Sequence, residues 1–251
     1  GTMPEIVVGD GVDPRGTDEA RVAFADSKVT VTDRSGGVFT IEFAQLIREA
    51  YRNRISLSDY GYYSTPDLGY DKVKGRGKAF LYFTQGVAAS EVELDPHSGE
   101  VKVRRVDILM DLGRPVNHAL DMGQVMGGFV QGMGWLTTEN LVYDNNGKLT
   151  SHGPSTYKIP CVHDTPRIFN ADLIFNESNT KNIRGTKASG EPPLLLSISV
   201  WTAIRDAIMS ARGATIVPLA IPATAERVLR ALDPAAFAAW DDDDARGDRD
   251  A

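Results

Sequence analysis

The stretch from Ala188 to Ala207, ASGEPPLLLSISVWTAIRDA, constrains the fold more than any other part of this 251-residue chain. Apolar residues recur along it at three- and four-residue intervals, which predicts a helix with a broad buried face from Leu194 to Arg212. Pro192 and Pro193 suit the first turn of a helix, where a missing N–H removes no intrahelical hydrogen bond. The sequence therefore predicts a core helix with Glu191 directly before its N-terminus.

The position of Glu191 supports two interpretations. Acidic residues at helix N-termini usually interact with free backbone N–H groups or with the helix dipole, so capping is the more common role. Lys187, four residues earlier, is also a candidate ion-pair partner that would lower the pKa of the Glu191 carboxyl group. The alternative is a catalytic base, held rigidly beside a bound cofactor by Gly190 and two prolines. The residues alone favour the capping role and leave the catalytic role open.

A second stretch, DMGQVMGGFVQGMGWL, combines helical periodicity with many glycines. Its apolar side chains recur at three- and four-residue intervals after Asp121, a candidate N-cap. Five glycines interrupt it: Gly123, Gly127, Gly128, Gly132 and Gly134. Because each interior glycine costs a helix about 1 kcal/mol relative to alanine, we expect this helix to touch a neighbouring backbone or a bulky ligand. Gln124 and Gln131 share nearly one face, where they contact such a ligand or face solvent.

Alternating and β-branched segments predict strand pairs elsewhere. The predicted strands are Val22–Asp26 with Lys28–Asp33, Ala79–Leu94 with Val101–Leu109, Leu141–Tyr143 with Lys148–Thr150, and Asp172–Phe175. Further helices are predicted near residues 41–54, after a Thr40 cap, and over Pro222–Leu232. The result is an α+β fold with mixed or antiparallel sheets, packed helices and two similar α/β units. These units are predicted at residues 1–120 and 121–235, followed by an acidic disordered tail at 236–251.

Composition excludes several classes of partner. The net charge of −7 argues against a nucleic-acid or anionic-membrane partner, because phosphates would be repelled. Cys161 is the single cysteine, so an internal disulfide is impossible and a reducing compartment is expected. No apolar run reaches about 18 residues and no signal pattern opens the chain, which favours a soluble, cytoplasmic protein. The four histidines lack zinc-site spacing, so no metal ligand is predicted on this chain.

Several long motifs resemble one enzyme family. DMGQVMGGFVQGMG, GPSTYKIP and KASGEPPLLLSISVWTAIRDAI resemble the C-terminal part of the molybdenum hydroxylases, the family of xanthine dehydrogenase and aldehyde oxidase. SLSDYGYYSTPDLGYD, GVAASEVELDPHSGE and RRVDILMDLG look like the segments that precede them in xanthine dehydrogenases. The similarity runs from about Val22 to Arg212.

The resemblance implies roles for three residues. The glutamate of the GEPP segment is the active-site base of that family and takes a proton from a molybdenum-bound hydroxyl group, and here it is Glu191. The glutamine that opens the GQV segment contacts the molybdenum centre, and here it is Gln124. Gly190, beside the base, is expected to lie close to the cofactor. The reaction implied is hydroxylation of an electron-poor C–H carbon with water-derived oxygen.

The resemblance also implies partners. Family members have several hundred residues before the region that this chain matches, and these carry most pterin and substrate contacts. The chain is therefore expected to be a subunit or fragment that shares a molybdenum–molybdopterin cofactor with a second molybdopterin-binding chain. Iron–sulfur clusters and FAD are expected on partner chains. The implied substrate is a purine, with an aldehyde or another N-heterocycle such as a pyridine carboxylate as alternatives. A non-catalytic scaffold subunit is the alternative function.

Overall fold

The computed structural model describes residues 21–33 and 35–238, which form two compact units divided between Ser64 and Thr65. The boundary that the sequence predicted near Leu120 falls inside the second unit. Strands on both sides of that position pair in one sheet, so the chain does not divide there. Residues 239–251, most of the predicted acidic tail, lie outside the described residues.

The first unit is a three-stranded antiparallel sheet followed by one helix. Its elements are β1 (Arg21–Ala25), β2 (Lys28–Thr32), β3 (Val38–Glu42) and α1 (Phe43–Arg52). The predicted pairing of the first two strands is confirmed. The predicted Thr40 cap is wrong, because Thr40 pairs with Thr30 inside the sheet and the helix begins three residues later. The segment VFTIE forms a strand at this point because Ile41 is buried in the small core of the unit.

The second unit contains a short hairpin and a larger mixed sheet. The hairpin consists of β4 (Gly69–Asp71) and β5 (Arg76–Lys78). The sheet consists of β6 (Gln85–Leu94), β7 (Val101–Asp111) and β8 (Ile168–Leu173). The predicted hairpin of β6 and β7 is confirmed, and β8 runs parallel to β7 on its other side. A parallel pair needs a long crossover, which here contains the glycine-rich helix.

Helices cover one face of this sheet and confirm the α+β class. They are α2 (His118–Thr137), α3 (Pro192–Leu196), α4 (Ile198–Arg212) and α5 (Ala225–Leu232), with 3-10 turns at Val162–Asp164 and Ile183–Gly185. Val106, Ile108 and Met110 of β7 are buried with Phe129 of α2 and Ile204 of α4 in one hydrophobic core.

The long apolar helix predicted after Glu191 is confirmed, although it forms as two consecutive helices. Ser197 separates them and donates a hydrogen bond from Oγ to the Leu194 carbonyl at 2.6 Å. By length and composition Pro192–Arg212 would be able to cross a membrane. Val200, Ile204 and Ile208 are fully buried in the core, so packing accounts for the apolar residues at these positions.

The start of α2 differs from prediction, and the second hairpin is short. Asn117, and not Asp121, is the N-cap, and its side chain accepts a hydrogen bond from the Leu120 N–H at 3.2 Å. Asp121 lies in the first turn and accepts from the Asn117 N–H at 3.3 Å, so the two residues cap the helix reciprocally. The hairpin predicted at 141–150 forms but is short: Tyr143 and Leu149 pair as an antiparallel bridge, and the Thr150 N–H donates to the Val142 carbonyl at 2.8 Å.

Candidate functional site

Three of the five glycines in α2 are explained by close contacts, two of them with neighbouring backbone and one with side chains. A Cβ atom on Gly132 would overlap Ser197 Oγ and the Leu194 carbonyl oxygen. A Cβ on Gly128 would lie 3.0 Å from the Gly190 carbonyl oxygen, and one on Gly134 would overlap the Pro160 ring. The expectation that this helix touches a neighbouring backbone is therefore confirmed, and the neighbour is the segment that carries Glu191.

The other two glycines have no such explanation within the described residues. Gly123 and Gly127 are exposed, and a Cβ added to either would meet nothing within 4 Å. They lie one turn apart with the exposed Gln124 between them, so the three share one face of α2. We call Gly123, Gln124 and Gly127 the open glycine face. Because its two glycines carry no side chain, a ligand has room to approach the helix backbone closely.

The structure brings the two predicted cofactor-binding residues together. A Cβ added to Gly190 would lie 3.2 Å from Oε1 of Gln124, so the glutamine side chain reaches the loop directly before Glu191. Gly128 also lies against the Gly190 carbonyl group, so the loop contacts α2 at both Gln124 and Gly128. The open glycine face and Glu191 are thus on adjoining segments, although they are more than 60 residues apart in sequence.

Glu191 occupies the N-cap position of α3, but its side chain caps nothing. Its backbone has φ −86° and ψ −40°, and no cap hydrogen bond to its carboxylate forms. Prolines at the first two helical positions explain this, since neither has an N–H to donate. Within residues 21–33 and 35–238 the exposed carboxylate has no hydrogen bond or ion pair. The capping role that local chemistry favoured is therefore not realised.

Lys187 pairs with a different carboxylate from the one considered in the sequence. Its Nζ atom lies 2.7 Å from Oδ2 of Asp111, and the two side chains are only 8% and 4% exposed. Asp111 also accepts from the Gly113 N–H at 2.8 Å and from the Asn176 side-chain amide at 2.6 Å. Burial raises the pKa of Asp111, but the hydrogen bonds from Lys187, Gly113 and Asn176 outweigh it and hold the pKa below its usual value.

This shift predicts a pH dependence of stability. A carboxyl group whose pKa is lowered by folding stabilises the native state above its unfolded pKa, about 4, and loses that contribution as the pH falls through the folded pKa. We expect the difference in free energy of unfolding between wild type and Asp111→Asn to shrink as the pH falls below about 5. Urea denaturation at several pH values measures it, and a difference that stays constant over this range would contradict the assignment.

Sequence reasoning missed Asp111 and Asn176. One signal was present for Asp111, because it interrupts the apolar run DILMDL at the end of a predicted core strand. A carboxylate at such a position is expected to be buried and to need hydrogen-bond donors or a cation beside it. No local pattern identified Lys187 as its partner, since the two residues are 76 positions apart.

Comparison with known sequences connects this geometry to one protein family. A family model described as a molybdopterin cofactor-binding domain matches residues 13–166, more than half of the chain. The match includes Gln124 and ends before Glu191. Xanthine dehydrogenase of Oryza sativa subsp. japonica is 46% identical over 197 residues, and xanthine dehydrogenase/oxidase of Gallus gallus is 49% identical over 189 residues. Each match covers 74% of this chain and 14% of the relative, so the chain corresponds to a small part of these proteins.

Solved structures show the same fold. Quinoline 2-oxidoreductase from Pseudomonas putida 86 superposes with a TM-score of 0.62 at 22% identity, over 84% of this chain and 25% of that one. Aldehyde oxidoreductase from Desulfovibrio gigas superposes with a TM-score of 0.53 at 30% identity, over 66% of this chain and 17% of that one.

Proposed function

This chain belongs to the molybdopterin cofactor-binding domain family, and we propose that it forms one wall of the active site of a xanthine-dehydrogenase-like molybdenum hydroxylase. In this proposal Glu191 is the general base, and Gln124 and Gly190 lie beside the cofactor. The observation that carries it is the contact between Gln124 and Gly190, the residue directly before Glu191, whose carboxylate has no partner among the described residues.

The residues present fit a molybdenum–molybdopterin cofactor. The two glycines of the open glycine face offer backbone without side chains, and the exposed Gln124 amide supplies both a donor and an acceptor. Such a pattern suits a flat, polar ligand that approaches a helix closely, because a Cβ atom at Gly123 or Gly127 would occupy that space. When bound, the cofactor supplies a Lewis-acidic metal that activates a water-derived oxygen and accepts two electrons.

Glu191 has the features that a general base requires. Its carboxylate is exposed and free of partners among the described residues, so it accepts a proton without first breaking an ion pair. Pro192 and Pro193 fix their own φ angles and thereby restrict the backbone beside it. The Gln124 amide, which contacts the same loop, orients a ligand by hydrogen bonding rather than by charge.

This chain spans 14% of the length of its relatives, and the remaining walls of the site are proposed to belong to a second molybdopterin-binding chain or domain. Iron–sulfur clusters and FAD are proposed on further partner chains or domains. The substrate is proposed to be a purine, by analogy with the relatives named xanthine dehydrogenase. An aldehyde or another N-heterocycle is the alternative.

Purification of the complex through this chain tests the proposed function. We expect molybdenum, iron and flavin to co-purify in fixed ratio with the chain, and the complex to oxidise a purine faster than an aldehyde or a pyridine. Recovery of a stable lone chain without molybdenum would support the scaffold function instead. If the complex oxidised only aldehydes, the proposed hydroxylation chemistry would stand and the proposed purine substrate would be wrong.

The open glycine face gives a prediction about cofactor content. A Cβ atom at position 127 would meet nothing within 4 Å in the described part of the chain, and leucine suits a helix better than glycine, so Gly127→Leu should keep or raise stability, by up to about 1 kcal/mol. We expect the same change to lower the molybdopterin content of the complex severalfold, because the side chain fills the approach to α2. Ser210→Leu, at an exposed position of α4, is the matched control and should leave cofactor content unchanged. Full content in Gly127→Leu would contradict the placement of the cofactor.

A further inference from the structure

We propose that the buried ion pair between Asp111 and Lys187 is a positioning device that fixes Glu191 relative to the sheet. This inference rests on the proposed function, since it assigns the pair to the base of that site. Neither residue is proposed to contact the substrate or the cofactor. They act through the backbone of residues 188–190, which joins Lys187 to Glu191.

The segment before Glu191 lies directly against the end of β7. The Lys187 N–H donates to the Leu112 carbonyl at 2.8 Å, and the Arg114 N–H donates to the Gly185 carbonyl at 3.1 Å. Gly113, with φ +65°, permits this approach, because a Cβ there would overlap the Gly185 carbonyl oxygen. Backbone and side chain of Lys187 are therefore both bound to the sheet.

The segment after Glu191 is anchored separately. Pro193 and Leu194 of α3 lie against Gly128 and Gly132 of α2, where no side chain on the glycines intervenes. Glu191 thus lies on a short stretch held at Lys187 on one side and at α3 on the other. Between these anchors the Ala188 carbonyl accepts a long hydrogen bond from Thr84 Oγ1 at 3.4 Å, and Gly190 lies against Gln124 and Gly128 of α2.

Asp111 connects three separate segments through one carboxylate. Its donors come from Gly113 after β7, from Asn176 after β8 and from Lys187 before the base. A buried ion pair of this kind is a weak source of net stability, because desolvation of both charges offsets their attraction. Its directional bonds do, however, select one arrangement of the groups that it joins. A role in positioning the loop before Glu191 explains why this site contains the charged pair Asp111 and Lys187, although apolar side chains would also fill the space.

The test uses the double variant Asp111→Asn/Lys187→Met in the assembled, molybdenum-loaded complex. Both side chains keep nearly their size and neither leaves an unpaired buried charge, so folding and molybdenum content should be preserved. We expect kcat per molybdenum to fall on the order of 10²-fold with a smaller change in KM, as for a base displaced by about 1 Å. Amide hydrogen exchange at residue 187 and at Arg114, whose N–H groups donate to the Leu112 and Gly185 carbonyls, should rise about tenfold, while exchange in α2 stays unchanged. Lys187→Arg keeps the charge pair and should recover most of the turnover and protection.

Each result decides a separate point. Wild-type kcat and exchange in the double variant would overturn the positioning role, and loss of cofactor with unchanged kcat per molybdenum would make the pair purely structural. If the double variant does not fold, Asn176→Ala, which removes one donor to Asp111 without changing charge, should show the same effects at smaller size, and their absence would overturn the inference. Glu191→Gln is measured in parallel to test the proposed function itself. Full turnover in that variant would show that Glu191 is not the base, whereas the hydrogen-exchange result would still report whether the ion pair holds the loop.

Discussion

Replacing Glu191 with glutamine is expected to lower turnover of the molybdenum-loaded complex by about 10²–10⁴-fold. Glutamine has nearly the same size and polarity, but its amide does not accept the proton that a carboxylate takes. Because the Glu191 carboxylate makes no hydrogen bond or ion pair with the described part of the chain, folding and cofactor content should remain at the wild-type level. Steady-state kinetics normalised to molybdenum content measures the effect.

A matched control separates catalysis from a general effect of charge. Glu226→Gln removes one negative charge from an exposed glutamate of α5 that bonds to Arg230, and it should leave turnover unchanged. Activity in Glu191→Gln within a few-fold of that control would rule out the base assignment. A loss of activity that parallels a loss of molybdenum would assign Glu191 to cofactor retention instead.

Replacing Gly132 with alanine is expected to destabilise the second unit by about 1–3 kcal/mol. The added Cβ would overlap Ser197 Oγ and the Leu194 carbonyl oxygen, so α3 would have to move away from α2. The Leu194 carbonyl oxygen belongs to the backbone, so a rotamer change of Ser197 alone does not relieve the overlap. Urea denaturation monitored by circular dichroism gives the change in free energy of unfolding.

Gly123→Ala is the control on the same helix, since its Cβ would meet nothing within 4 Å. It should stabilise the unit by up to about 1 kcal/mol through helix propensity alone. The two alanine substitutions are therefore expected to change stability in opposite directions. Equal effects would show that packing of α2 against α3 does not account for the glycine at position 132.

Local patterns in the sequence predicted much of the fold. The β6–β7 hairpin and the core helix after Glu191 depend on alternation, turn residues and apolar spacing within short stretches, and both form as predicted. The parallel pairing of β8 with β7 was not predictable in this way, because it joins strands across residues 112–167. The N-cap predicted at Thr40 lies two residues later, because Ile41 is buried in a strand, and the N-cap predicted at Asp121 lies four residues earlier, at Asn117.

The site shows a similar division. Composition predicted that the glycines of α2 would meet a backbone or a ligand, and the structure assigns Gly128 and Gly132 to backbone and leaves the open glycine face for a ligand. The roles of Gln124, Gly190 and Glu191 came from resemblance and remain predictions. The Asp111–Lys187 pair was not predicted, because the partner of a buried charge is set by tertiary packing.

A structure of the molybdenum-loaded complex would show whether Glu191 lies at the metal. The quantity to measure is the distance between the Glu191 carboxylate and the nearest oxygen ligand of molybdenum. We expect hydrogen-bond distance, about 2.6–3.2 Å, with Gln124 beside the same centre. A Glu191 carboxylate that points away from the metal, or a carboxylate of another chain in its place, would contradict this expectation.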